Sequence, residues 1–487
     1  MSLLNFWLPP QCCILKLQFA MPPGGFRKLM FLSGLLSLLI AGAGLFGCGR
    51  SIEDPAPPTK WTTSFWFWEG SSASVADAIG PVDAVYCQVG SVVKQRMIWL
   101  GRGPWTVSGN LPERLPQAHE YWLVFRSVSP GVPALQAIQE LRPVVYYLQQ
   151  EGRRRGLNVA GIQLDVDSPT RALPQYAAFL REVRKGLPPG VQISITALLD
   201  WFRAGTAVDE VIKEVDEFVP QFYDVQGRGN SAGGGAIPSP VVAAQWGPVF
   251  NRHRKRFRIG ISTFGRARLT RSADSPRFRS GAVEMFTDLK PLDIAIDSTF
   301  NLQTSTTDAK ELVLRYRATR ETRIGYTDCG PGDTVEFVIP TPDAIRPAVE
   351  QAKLIHGYCA GVVFFRWPAF NETLTVQPSQ VLAAAGVVTQ PSERPAGLRV
   401  VDGNCAAVEC VDLYLVNASP LSSKSIRYRI DSSTELEYFL PSERMPVRLS
   451  GPSRIELLLP PYGGSIRMHL GRAVTAKRAE FTMKEER

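Results

Sequence analysis

The sequence predicts an α/β protein built on a (β/α)8 TIM barrel, with an insertion after the seventh strand and a small C-terminal β-sandwich-like domain. Three observations predict it. Between Trp61 and Val388, eight short apolar runs alternate with helical patterns, the signature of βαβ units and a parallel sheet. One interval, 265–356, is too long for a single crossover helix. Beyond Val388 the helical pattern vanishes, and short runs separated by Gly, Pro, Asn and Ser turns take over, as in a small sandwich.

Residues 1–48 read as an address. Arg27 and Lys28 precede an apolar run over 29–46 that ends Leu45-Phe46-Gly47-Cys48. This resembles a bacterial lipoprotein signal, which implies cleavage before Cys48 and lipidation of its thiol; an uncleaved anchor is the alternative. Met21 begins a segment of ordinary signal-peptide proportions and reads as the true start. Residues 49–60, with Pro55, Pro57 and Pro58, form a linker. The folded part is therefore expected outside the cytoplasm, lipid-anchored in a bacterial cell envelope, at the outer membrane if the cell is Gram-negative.

The barrel is assigned to 61–388, its strands to 64–68, 84–89, 121–126, 161–167, 192–197, 217–223, 258–264 and 361–367. Helices fall between them, for example 176–185, with Tyr176, Phe179, Leu180 and Val183 at helical spacing. The insertion is placed at about 266–356, with extended stretches at 295–300 and 334–339. Residues 389–487 form the accessory domain, with strands expected at 397–401, 411–416, 425–430, 447–449, 454–458 and 465–469.

Composition narrows the function classes. The 487 residues are 45% hydrophobic and 20% charged, ordinary for a globular protein. A net charge of +9 draws on runs such as Arg153-Arg154-Arg155 and Arg252-His-Arg-Lys-Arg256, which read as solvated surface; with an exported chain, no nucleic-acid partner is expected. Four scattered histidines and no Cys-x-x-Cys argue against a metal site, and no cofactor is expected. Of the eight cysteines, Cys405 and Cys410 are close enough to staple a hairpin, and Cys329 with Cys359 is a further possible pair.

The most informative segment is Gly-Ile-Gln-Leu-Asp-Val-Asp over 161–167. Strand alternation puts Gln163, Asp165 and Asp167 on one face. Cα atoms at i and i+2 lie about 6.5 Å apart, so repulsion between the carboxylates would raise the pKa of one and make it a general acid. Ser168-Pro169 stops the strand, which places the pair at the carboxyl end, where active sites of such barrels sit. The alternative is an aspartate pair capping the next helix. Other polar and aromatic residues fall at strand ends: Trp68, Glu69, Arg126, Asp200, Trp201, Gln221, Tyr223, Asp224, Arg366 and Trp367. Flat rings there could stack on sugars. Asp200 reads alternatively as a helix cap and Glu69 as a turn residue before Gly70, while Arg126 and Arg366 read as braces for carboxylates.

These motifs resemble the chitinase-like family 18 glycoside hydrolases. The fourth strand of that family carries Asp-Gly-x-Asp-x-Asp-x-Glu, and residues 160–167 align without a gap, Asp165 on the last aspartate and Asp167 on the catalytic glutamate. Gln221-Phe-Tyr223-Asp224 is similar to the sixth-strand Met-x-Tyr-Asp, and Ile259-Gly-Ile-Ser-Thr-Phe-Gly-Arg266 to the seventh-strand Gly-x-Pro-x-Tyr-Gly-Arg; Trp367 takes the place of the tryptophan under the sugar. More closely, Phe-Trp-Phe-Trp68 with Gln163-Leu-Asp-Val-Asp-Ser-Pro169 resembles an uncharacterised family of bacterial envelope barrels known as a domain of unknown function. The resemblance implies Asp167 as acid, Asp165 assisting, Tyr223 and Asp224 holding the reacting sugar, and Trp68, Glu69, Asp200, Trp201, Gln221 and Trp367 binding a glycan. It departs at Asp167, one methylene shorter than glutamate, and at Ala160 and Gln163, where the family has aspartates. Two readings follow: a glycosidase of the envelope, or a non-catalytic glycan-binding lipoprotein on a degenerated barrel.

Overall fold

The computed structural model describes residues 57–486 except 59, 74–78, 96–102, 130, 223–240, 274–280, 282, 287–288, 308–310, 370–371, 389–395, 406–408, 419–420, 423–424, 443–444, 460–461 and 464–465. The expectations for Cys48, Met21, Tyr223 and Asp224 concern residues outside this set. Among the described residues no helix is long and apolar enough to cross a membrane.

In chain order the first part comprises β1 (Thr62–Phe67), β2 (Val82–Lys94), β3 (Trp105–Gly109), β4 (Ala118–Ser127), α1 (Ala137–Arg154), β5 (Val159–Asp165), α2 (Leu173–Gly186), β6 (Gln192–Ala197), α3 (Val208–Lys213), β7 (Glu217–Phe222), α4 (Ala243–Asn251) and β8 (Arg256–Ser262). The insertion follows: β9 (Arg266–Thr270), β10 (Val283–Phe286), α5 (Pro291–Ala295), β11 (Phe300–Thr307), β12 (Glu311–Ala318), β13 (Thr322–Ile324), β14 (Thr327–Cys329) and β15 (Thr334–Pro340). Helix α6 (Pro342–Lys353), β16 (Cys359–Phe365) and α7 (Pro378–Ala384) complete the barrel.

Strands β1, β2, β4, β5, β6, β7, β8 and β16 pair in parallel around a ring that β1 closes by bonding both β2 and β16. This is the expected (β/α)8 barrel, with β3 added as an antiparallel edge on β2. Strands β9–β12 and β15 form an antiparallel sheet after the seventh barrel strand, over a core of its own that includes Leu269, Leu314 and Phe337. Its last strand ends at Pro340; α6, expected within the insertion, buries Ile345 and Val349 in the barrel's core instead. The expected extended stretch at 295–300 is the end of α5 and a turn, with only Phe300 in a strand.

Among the described residues the C-terminal part holds two four-stranded antiparallel sheets over one core of residues such as Leu413, Ile430, Leu457 and Leu470, and a two-stranded pairing of Leu421–Ser422 with Tyr462–Gly463. Four of its strands, Leu421–Ser422, Tyr438–Pro441, Tyr462–Gly463 and Phe481–Glu486, were not expected. Cys405 and Cys410 are disulfide-bonded. Cys329 and Cys359 are not: both thiols are free and buried, one in the insertion's core and one in the barrel's.

Inward-facing residues of the barrel form layers. At the base, Arg258 donates to Glu217 at 2.6 Å and to Thr62 at 3.0 Å, Tyr86 donates to Glu217 at 2.5 Å, and Arg256 pairs with Glu217 at 3.1 Å. Above lie Trp66, Trp122, Val219 and Val363. Gln163 spans the layers, accepting from Trp66 Nε1 at 2.7 Å and donating to Ser194 at 3.0 Å. Gly260 makes room here, since a Cβ would meet Trp66 at 3.0 Å and the Pro220 carbonyl at 3.1 Å. The interior is thus a filled core, and a ligand can enter at its mouth only.

Candidate active site

β5 ends two residues earlier than the alternation predicts. Ser168 N–H donates to the Val166 carbonyl at 2.8 Å, Pro169 has no N–H to give, and pairing stops at Asp165, which stands opposite Arg126 of β4. Asp165 therefore points into the mouth from the last strand position, and Asp167 follows in the loop, exposed. Thr196 of β6 donates to Asp165 Oδ1 at 2.7 Å, and Arg126 Nε lies 4.0 Å from Oδ2.

The two carboxyls differ in affinity for protons. Burial first, and the charge of Asp167 second, push Asp165 up to about 6, against the Thr196 hydroxyl and the Arg126 guanidinium, which favour its charged form. Partial dehydration in the mouth also raises Asp167, with Arg126 opposing. The two groups titrate as a pair, in which the charge of Asp167 favours the neutral form of Asp165. Gln163, where the family 18 pattern has an aspartate, adds a neutral amide below the pair.

Of the other expected site residues, Trp68 stays at the mouth, half-buried, edge-on to Phe365 at 5.6 Å with the Arg126 guanidinium 5.9 Å from its ring centre. Gln221 is half-buried at the end of β7. Glu69 is exposed in the turn before Gly70, its N–H donating to Gln88 at 3.0 Å. Asp200 accepts from Thr170 at 2.9 Å and so ties the loop after β5 to the loop after β6; it is not the helix cap of the alternative reading.

Two aromatic assignments need correction. Trp201 is fully buried, donating from Nε1 to the Ser168 carbonyl at 2.8 Å and packing edge-on against Tyr176. It supports the aspartate loop from beneath and presents no face to a ligand. Trp367 is 1% exposed, stacked edge-on to Phe65 in the outer core. Its backbone N–H donates to Trp66 O at 2.8 Å and its Nε1 to Ser72 O at 2.9 Å, which turns the ring away from the mouth. Trp66 and Phe222 are likewise buried.

Sequence reasoning missed Thr196 and Glu372. Thr196 was findable, because Ser194-Ile-Thr196 alternates polar residues inward next to Asp165. Glu372 had no such signal: it lies in the loop after β16, accepting from Arg366 at 2.5 Å, from Thr375 at 2.7 Å and from the Ala369 N–H at 2.7 Å. Arg366 is thereby the brace expected of it.

A second polar line crosses the C-terminal sheet. Ser442 Oγ meets His469 Nδ1 at 2.6 Å, and His469 Nε2 meets Asp412 at 3.3 Å. Arg472 clamps Asp412 at 2.8 and 2.9 Å, and the Ser442 N–H donates to Leu470 O at 3.0 Å, so the serine's own amide is not free to hold an oxyanion.

Residues 129–323 match a domain of unknown function, DUF3142. The DUF3142 segment holds Asp165, Asp167, Thr196 and Gln221 and leaves Trp68 and Arg126 outside it. Solved structures with a similar fold include the chitinase of Chromobacterium violaceum ATCC 12472 (13% identity, 67% of this chain, 98% of that chain, TM-score 0.40) and the spore cortex-lytic enzyme SleL of Bacillus cereus (13%, 69% and 76%, 0.39). A class V chitinase variant from Nicotiana tobaccum, solved with NAG4, is another (12%, 67% and 99%, 0.40). Likeness at this level assigns no chemistry to the DUF3142 segment. No curated protein matches the chain in sequence.

Proposed function

We propose that the chain acts on a glycan at the barrel mouth as a glycoside hydrolase, with Asp167 as proton donor and Asp165 as its partner. The observation that carries the reading is the pair itself: two carboxyls at the end of one barrel strand, one with its pKa pushed up to about 6, with the half-buried Trp68 on the other side of Arg126. A group titrating near the working pH can hold a proton and release it. A substrate covering the exposed Asp167 would dehydrate it further and raise its proton affinity, next to the leaving oxygen. Tyr223 and Asp224 are proposed to hold the reacting sugar, on the motif resemblance alone, and Gln221 and Trp68 to line its path. The protein is further proposed to be exported and anchored through Cys48; the Cys405–Cys410 disulfide supports an oxidising compartment.

Two observations favour the second reading, a glycan-binding protein without turnover. The Trp367 ring that the family 18 pattern puts under the sugar is in the core, and Asp167 reaches one methylene less far than glutamate, a displacement worth on the order of 100-fold in rate. Reducing-sugar release by the full-length protein in mild detergent, on chitin oligomers and peptidoglycan strands beside Asp167→Asn, separates the two. Release that Asp167→Asn lowers by about 100-fold or more supports hydrolysis. Calorimetric binding of the same glycans without release supports the binding reading.

A further inference from the structure

Arg126 is held differently from the other mouth arginine. Arg366 is 13% exposed and pairs with Glu372 at 2.5 Å. Arg126 is 51% exposed, and the carboxylate oxygen nearest to it among the described residues, on Asp165, is 4.0 Å away, beyond hydrogen-bond range. Arg472, by contrast, closes its fork on Asp412 by two bonds of 2.9 and 2.8 Å. Among the described residues the side chain of Arg126 makes no hydrogen bond; its contacts are the long approach to Asp165 and the Trp68 ring at 5.9 Å. A guanidinium offers five donors in a plane that fits a carboxylate.

Its place matters as much as its vacant donors. β4 lies between β2 and β5, and β2 pairs with β1, so Arg126 stands between the Trp68 ring and the Asp165–Asp167 pair. A sugar chain running from the one to the other must cross it. We propose that Arg126 binds a carboxylate on the glycan beside the bond presented to the aspartates, so that the substrate class is an acidic glycan. Sugars carry that group on the ring, as in uronic acids, or on a lactyl ether, as in muramic acid; both present the same planar anion. The inference rests on the glycan reading of the mouth and adds its charge.

The test uses the full-length protein in mild detergent, with binding followed by calorimetry and cleavage by reducing ends. The probes are hexa-N-acetylchitohexaose, peptide-free strands of alternating N-acetylglucosamine and N-acetylmuramic acid, and hyaluronan hexasaccharide, the last two also after reduction of their carboxylates to alcohols. At least one acidic glycan should bind about tenfold or more tighter than its reduced form, the scale of one charge-assisted contact. Arg126→Gln should erase that difference, and Arg126→Lys, which keeps the charge but not the fork, should retain part of it. Which acidic glycan leads separates the muramyl from the uronate source. Equal binding of native and reduced glycans, or a preference that survives Arg126→Gln in a protein with unchanged melting, overturns the inference and leaves the glycan reading standing. Neither binding nor cleavage of any glycan overturns both.

Discussion

Replacing Asp165 by asparagine tests where the resting proton sits. The carboxyl is pushed from its ordinary 3.8 to about 6, so the folded protein holds this proton more tightly than the unfolded chain does. Between those values the folded state binds more protons, and stability must fall as pH rises, the reverse of an aspartate held by a salt bridge. At about 1.36 kcal/mol per tenfold change in proton affinity, the gap comes to about 3 kcal/mol, lost by pH 7 and present below pH 4. With the side chain 13% exposed, solvent screening takes little of it. Asparagine keeps the shape and the acceptor for Thr196 but carries no charge. Asp165→Asn should therefore match the wild type near pH 4 and exceed it at pH 8 by a Tm difference on the order of 5 °C, read from the barrel transition in scanning calorimetry. A difference that is flat from pH 4 to 8, or a wild type more stable at pH 8, refutes the reasoning. Because the charge of Asp167 is the second cause of the shift, Asp167→Asn should lower the Asp165 midpoint, followed by carboxyl 13C NMR.

Three further outcomes follow from the packing. Glu217→Gln should cost about 3–5 kcal/mol, because Arg258, fully buried, loses its closest charge partner; denaturant unfolding with a loss under about 1 kcal/mol would contradict the network. Gly260→Ala should cost about 1–3 kcal/mol by pressing a methyl on Trp66, visible as a lower Tm and a changed indole spectrum. Cys87, Cys329 and Cys359 should resist alkylation in the native protein and react once it is denatured, while Cys405 and Cys410 react only after reduction, as mass spectrometry can count.

Most of the barrel was legible because its strands announce themselves twice, by apolar runs and by what interrupts them. Phe65 and Phe67 pack outward while Trp66 faces in, and the same alternation placed Gln163 and Asp165 inside. Two of the C-terminal strands that escaped notice are sheet edges: Tyr438–Pro441 carries a proline and Phe481–Glu486 is half charged, features that suit an unpaired edge and mask a strand in sequence. The site was less legible, for a reason visible at Trp367. Strand alternation predicts a side as long as the backbone stays extended and the ladder continues; past Phe365 the chain bonds to Trp66 O and the ring swings into the core. A tryptophan at a strand end has the same letter whether it faces a ligand or a phenylalanine. Charge is less ambiguous than shape in this respect. An arginine cannot be hidden without a partner, so Arg126, exposed and with its donors unfilled among the described residues, carries information about what the mouth receives that no aromatic residue in this chain carries.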